Sequence, residues 1–224
     1  MPKESLEAQK HRTVTIIAAL KKRYPDAKCA LNHANAYELL VATILSAQCT
    51  DVRVNMVTPV LFKKYPTPES LAKSSQADVE AIVRTTGFFR SKAKSIRESA
   101  ADIVGKHGGK VPRGMEELTA LRGVGRKTAN VVLGNAFDQN VGVVVDTHVT
   151  RLSNRLALTT HKDPGKIELD LMKLVPQSQW TLFSHLLIYH GRQICTARSP
   201  KCEGCPILKE CPTGPKLIAA KSPR

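Results

Sequence analysis

The chain has 224 residues, and 34 lysines and arginines against 19 aspartates and glutamates give it a formal net charge of +15 at neutral pH. That length allows one substantial core or two smaller ones, and a cationic surplus of that size points first to nucleic acid as the partner. No apolar run reaches the length of a membrane span and residues 1–12 are too polar for a signal peptide. This argues against membrane insertion and export, so a cytoplasmic protein is expected, whose six cysteines serve as thiols or metal ligands rather than as three disulfides.

In chain order, Leu6, Ile16, Ile17 and Leu20 recur at helical spacing over residues 5–22, and Tyr24-Pro25 ends that helix. Residues 37–48 are apolar nearly all round, predicting a central buried helix. Its end, Leu45-Ser46-Ala47-Gln48-Cys49, turns abruptly small and polar. Thr50 or Asp51 can cap a helix over residues 52–65, which Pro66 and Pro68 close. Short helices are expected over residues 69–73 and 78–84. The segment Thr86-Gly87-Phe88-Phe89-Arg90-Ser91 sets two phenylalanines side by side in a turn; both cannot face one core, so one should be exposed. Ser91 is a good N-cap for a helix to Lys106 that lines up Ala93, Ile96, Ala100, Ile103 and Val104, with Gly108-Gly109 ending it.

The stretch Leu118-Thr-Ala-Leu-Arg-Gly123-Val124-Gly125-Arg126-Lys127-Thr-Ala129 places a Gly-Val-Gly turn between two helical patterns, a helix-hairpin-helix. Without side chains at Gly123 and Gly125, the backbone of Gly123, Val124, Gly125 and Arg126 can approach a phosphate, which predicts a clamp on the DNA backbone. Lys127 starts the second helix, where the positive end of the macrodipole favours the free amine over the ammonium, making it a candidate nucleophile. Asp146, between the apolar run Val143-Val144-Val145 and Thr147-His148, holds an N-cap position that favours the carboxylate form. The plainer readings are a phosphate-binding lysine and a simple cap.

Helical patterning returns over residues 147–156, 164–175 and 180–195. The only strand-like run, Val141 to Val145, has no partner strand and reads as a buried extended connection, so the fold class is all-α. The last dozen residues, with Lys216, Lys221, Ser222, Pro223 and Arg224, read as a disordered tail. Before them Cys195, Cys202, Cys205 and Cys211 form a C-x6-C-x2-C-x5-C pattern. Four thiolates suit structural zinc, but a single compact wrap fits a [4Fe–4S] cluster better than the two separated pairs usual for zinc. Arg198 and Lys201, in the constrained x6 loop, should point at a phosphate. Cys29 and Cys49 read as buried free thiols.

Together these motifs resemble the endonuclease III family, DNA glycosylases of the helix-hairpin-helix superfamily with an iron–sulfur cluster. The resemblance runs over nearly the whole chain through Leu45-Ser46-Ala47-Gln48, Gly87-Phe88, Leu121 to Asn130, Val145-Asp146-Thr147-His148, His190-Gly191-Arg192 and the cysteine loop. It implies two helical domains with a DNA-binding cleft between them: a six-helix barrel with the hairpin over residues 29–139, and a cluster domain over 1–28 and 140–224. Lys127 and Asp146 would face each other across the cleft, with the four cysteines holding a [4Fe–4S] cluster. The implied function is base excision repair of oxidised pyrimidines: a flipped-out base is expelled by attack of the lysine on C1′, and the resulting Schiff base breaks the strand by β-elimination. Gln48, Phe88 and His148 would fill the vacated space or contact the opposite strand. The partner would be double-stranded DNA with damaged bases or abasic sites, bound by a monomer in the bacterial cytoplasm and nucleoid. Phe88 stands where the family usually has a bulky aliphatic residue, and the connection before Asp146 is about one residue longer than in the best-known bacterial members, so lesion preference can differ. Two alternatives are an adenine-mismatch glycosylase of the same superfamily, which usually lacks a lysine at the position of Lys127 and carries a further carboxy-terminal domain, and a non-catalytic helix-hairpin-helix DNA-binding module, which has no use for Asp146.

Overall fold

The computed structural model describes residues 4–220, and among them every regular element is helical. None of the helices is long and apolar enough to cross a membrane. The chain divides into two compact units, Cys29–Gln139 and the combination of Met1–Lys28 with Asn140–Arg224.

The first unit is built around α2 (Ala36–Leu45), which is buried from Leu39 to Leu45. Asn35 caps it by accepting from the Glu38 N–H, while the Glu38 carboxylate accepts from the Ala34 N–H, so donors that a helix start leaves open are satisfied locally. The helix stops at Leu45, three residues earlier than the apolar pattern suggests, because Gln48 takes a left-handed conformation (φ 52°) in the turn that follows. Then come α3 (Asp51–Lys64), capped by Thr50; α4 (Pro68–Ala72), opened by a Thr67/Ser70 capping box; and α5 (Gln76–Val83), capped by Ser75.

Ser91 is not the cap of α6 (Phe89–His107). The helix begins two residues before it, because Gly87 (φ 70°) and Phe88 (φ 47°) turn the chain directly into Phe89, which packs on the core. The hairpin helices are α7 (Met115–Ala120) and α8 (Arg126–Ala136). Their Leu118 and Leu133 join Leu39, Leu61, Ile96 and Ile103 in one core, where each fully buried side chain contributes roughly 1.5–3 kcal/mol.

The second unit packs α1 (Leu6–Arg23), α9 (Thr147–Arg155), α10 (Pro164–Leu174) and α11 (Trp180–Gln193) around Ile16, Leu20, Leu152, Ile167, Leu171, Phe183 and Leu187. Leu6 is not part of the buried stripe. It lies exposed in the first turn, and the buried face of α1 is Thr13, Ile16, Ile17 and Leu20. Residues 141–145 form no strand; Val143 to Val145 are buried, and the Val144 N–H donates to the Ser184 hydroxyl, the partner a sheet would otherwise provide. The carboxy-terminal segment is not wholly disordered, since Gly214–Ala219 form α12, with Pro215 in its first turn and Leu217 and Ile218 half-buried. Lys221, Ser222, Pro223 and Arg224 lie outside the described residues.

Candidate functional site

The hairpin turn uses its two glycines differently. At Gly123 (φ 78°) a Cβ would come within 2.9 Å of the Ser95 Cβ, so this exposed glycine lets the turn press onto α6. Val124 is buried beside it. At Gly125 a Cβ would meet nothing within 4 Å, so the open approach lies here, at the N-cap of α8, where no side chain caps the helix. Uncapped N–H groups and the macrodipole make such a helix start a site for an anion. Arg126 and Lys127 follow on the first turn and are exposed; Lys127 is not a buried lysine.

Asp146 is the N-cap of α9. Its Oδ1 accepts from the His148 and Val149 N–H groups, each at 2.8 Å, and its Oδ2 accepts from His148 Nδ1 at 3.1 Å. Both side chains remain partly accessible. Oδ1 is thus committed to the backbone, and Oδ2 to the His148 ring. His148 is fixed further by Gly191, where a Cβ would stand 3.1 Å from its ring.

Gln48 and Phe88 both adopt left-handed backbone conformations without being glycine, and both are exposed, Phe88 by 67 %. Such a conformation costs roughly 1–3 kcal/mol, and an exposed phenylalanine also forgoes its burial. Phe89 resolves the adjacent pair by packing on the core, with the Arg84 and Arg90 guanidinium groups over its ring.

Cys195, Cys202, Cys205 and Cys211 line one cavity together with His190 and Arg155. The loop has little regular structure and is held by side chains from neighbouring helices. Arg155 donates to the Thr196 carbonyl at 2.8 Å, the Ala197 carbonyl at 2.9 Å and the Cys195 sulfur at 3.2 Å. Arg151, one turn earlier, donates to the carbonyls of Gly191 and Cys195. His190, 1 % exposed, lies between the Tyr24 hydroxyl (3.1 Å to Nδ1) and the Cys205 sulfur (3.4 Å to Nε2). The available signal was the i, i+3, i+7 row His148, Arg151, Arg155 on α9, three cationic or titratable side chains running beside the buried stripe of Val149 and Leu152. Arg198 and Lys201 are exposed on the x6 loop, where the Lys201 N–H donates to the Ile194 carbonyl. Cys29 and Cys49 are half-buried free thiols packed against the core of the first unit.

The donor set fits an iron–sulfur cluster. The four thiols line one cavity, as a multi-atom cluster needs. Burial pushes the Cys205 thiol up to about 11, with the three other cysteines adding to the effect. Thiolates gathered here therefore require positive charge among them, which iron supplies.

A helix-hairpin-helix with an open second-helix start, followed by a four-cysteine loop, defines a class of DNA repair protein, and the comparisons agree. The family model for HhH-GPD superfamily base excision DNA repair proteins matches residues 41–177, and that for the iron–sulfur binding domain of endonuclease III matches residues 195–211. The chain is 52 % identical to endonuclease III of Synechocystis sp. over 93 % of its own length and 95 % of the relative's. Against endonuclease III of Escherichia coli the identity is 38 %, over 90 % and 95 %. Among solved structures, a non-covalent endonuclease III–DNA complex superposes with a TM-score of 0.88 at 42 % identity, covering 94 % of this chain and 98 % of that one. A trapped endonuclease III–DNA covalent intermediate gives 0.87 at 42 % identity, covering 93 % and 98 %.

The chain belongs to the endonuclease III family. It is a base excision repair DNA glycosylase and abasic-site lyase, and it carries a [4Fe–4S] cluster.

Proposed function

We propose that this enzyme removes oxidised pyrimidines from double-stranded DNA with Lys127 as nucleophile and Asp146 as the assisting carboxylate. The observation that carries the reading is the exposed Lys127 amine on the first turn of α8, directly after the open backbone at Gly125. The hairpin N–H groups hold a backbone phosphate. The deprotonated amine attacks C1′ of the damaged nucleotide; a C–N bond forms, the glycosidic bond breaks, and the base leaves with that electron pair and takes up a proton. Opening of the C1′–O4′ bond leaves a protonated Schiff base that acidifies C2′. Loss of the C2′ proton expels the 3′ phosphate and breaks the strand.

Asp146 Oδ2 accepts the proton lost by the amine and opposes the positive charge that develops on the sugar. Phe88 and Gln48, exposed on strained turns, enter the stack when the base leaves it, while His148, Arg198 and Lys201 contact the DNA. Cys195, Cys202, Cys205 and Cys211 are the cluster ligands, and the bound cluster supplies the cross-links that fold their loop.

The test compares each variant's rate on an oxidised-pyrimidine duplex with its rate on an abasic duplex of the same sequence. Asp146→Asn should slow base excision by about a hundredfold or more and abasic-strand cleavage by less, since no base remains to be expelled. Equal slowing on both substrates would confine Asp146 to capping or to elimination.

A further inference from the structure

Lys92 lies on the second turn of α6 and is 5 % exposed, alone among the charged side chains described in the first unit in being buried. Its amine makes one side-chain hydrogen bond, donating to the Thr86 carbonyl at 2.7 Å. Its backbone N–H donates to the Phe88 carbonyl at 3.0 Å. The same residue therefore grips the chain on both sides of Gly87. That glycine is at φ 70°, ψ 156°, a region open essentially to glycine only, and Phe88 after it is left-handed at φ 47°, ψ 30°. Burial lowers the ammonium below the usual lysine range, and the neighbouring Cys49 sulfur opposes that shift.

A buried ammonium on a single carbonyl is a poor way to stabilise a core, since an apolar side chain of similar volume would pack there without desolvating a charge. What the amine secures is local geometry. The Thr86 carbonyl ends a short 3₁₀ turn (Arg84–Thr86), and fixing it fixes where the chain leaves for Gly87 and Phe88. Without that bond the turn could relax toward an unstrained conformation and carry the exposed ring with it.

We propose that Lys92 is a positioning residue for base extrusion: it clamps the Thr86–Phe88 turn so that the Phe88 ring is held outward as a preformed wedge. This rests on the reading of Phe88 as the wedge. Lys92 does not touch the substrate and acts through the turn alone.

The test is a cycle of Phe88→Ala, Lys92→Met and the double variant, read as the ratio of excision rates for one lesion opposite a paired base and opposite an abasic gap. Lys92→Gln runs in parallel, as a polar replacement should Lys92→Met fail to fold. Extruding a paired base requires unstacking that an unpaired lesion does not, so Phe88→Ala should lower the ratio about tenfold. Lys92→Met and Lys92→Gln should lower it in the same direction, and the double variant should fall no further than Phe88→Ala alone. A general packing defect would slow both substrates equally and leave the ratio unchanged. If Phe88→Ala lowers the ratio while the Lys92 variants do not, or if the losses multiply in the double variant, Lys92 is not the clamp. If Phe88→Ala itself leaves the ratio unchanged, the wedge reading fails and the clamp fails with it.

Discussion

The two units hold their functional residues by different physics. In the unit of residues 29–139, backbone packing does it: Gly123 presses the hairpin onto Ser95, and Gln48 and Phe88 ride on left-handed turns over an apolar core. In the cysteine-bearing unit the loop lacks helices of its own between Cys195 and Cys211, so polar side chains reach in from helices to hold it: Arg151 and Arg155 from α9, and His190 from α11 backed by Tyr24. Close packing is insensitive to pH and needs no cofactor, whereas a loop held by hydrogen bonds and thiolates is sensitive to both.

Loss of the cluster should have the largest effect, and only on the cysteine-bearing unit. Cys202→Ser should lose iron and unfold the loop at a cost of several kcal/mol, because metal binding free energy is folding free energy in such segments. Hydrogen exchange should show lost protection over residues 195–211 and little change over 29–139; equal loosening of both would mean that the two units are not separately stabilised.

Acid should act on the same side. Burial lowers His185 on α11 from 6.5 to about 4, so the folded state binds fewer protons than the unfolded chain. Its contribution is complete above about pH 6.5 and is lost as pH falls toward 4, by up to about 3 kcal/mol at 1.36 kcal/mol per pKa unit. His185→Gln should flatten that part of the stability profile measured by chemical denaturation; an unchanged slope would remove His185 as its source.

The smallest effects separate the two glycines. Gly123→Ala forces a Cβ against Ser95 at positive φ and should cost about 1–3 kcal/mol. Gly125→Ala has room and should leave melting nearly unchanged while weakening binding to duplex DNA. Similar melting losses in both would show that the turn does not divide the roles this way.

Local signals in the sequence were legible wherever they satisfied local needs. Thr50 and Asp146 cap helices because their oxygens accept the N–H groups of the first turn, a requirement visible in the residue type alone. Ser91 misled because nothing in its residue type announces that Gly87 and Phe88 will start the helix earlier. The carboxy-terminal helix lies in a stretch that reads as a disordered tail from its lysines, serine and proline, although Pro215 in the first turn is compatible with a helix start. In the site, Lys127, Asp146 and the four cysteines stand out by position in a motif. The pairing of Tyr24 with His190 does not, since the hydrogen bond that joins them spans 166 positions. Lys92 reads as one more cation in a chain of 34 until its burial is known.

The central claim is that the Lys127 amine forms the covalent bond to DNA. Incubation with an abasic duplex in the presence of borohydride, followed by denaturing electrophoresis, reads this directly, because reduction of a Schiff base leaves protein and strand permanently joined. The unaltered enzyme should be trapped, and Lys127→Gln should give no trapped species while still binding the same duplex. A Lys127→Gln protein that is trapped as well as the unaltered enzyme would show that another amine is the nucleophile.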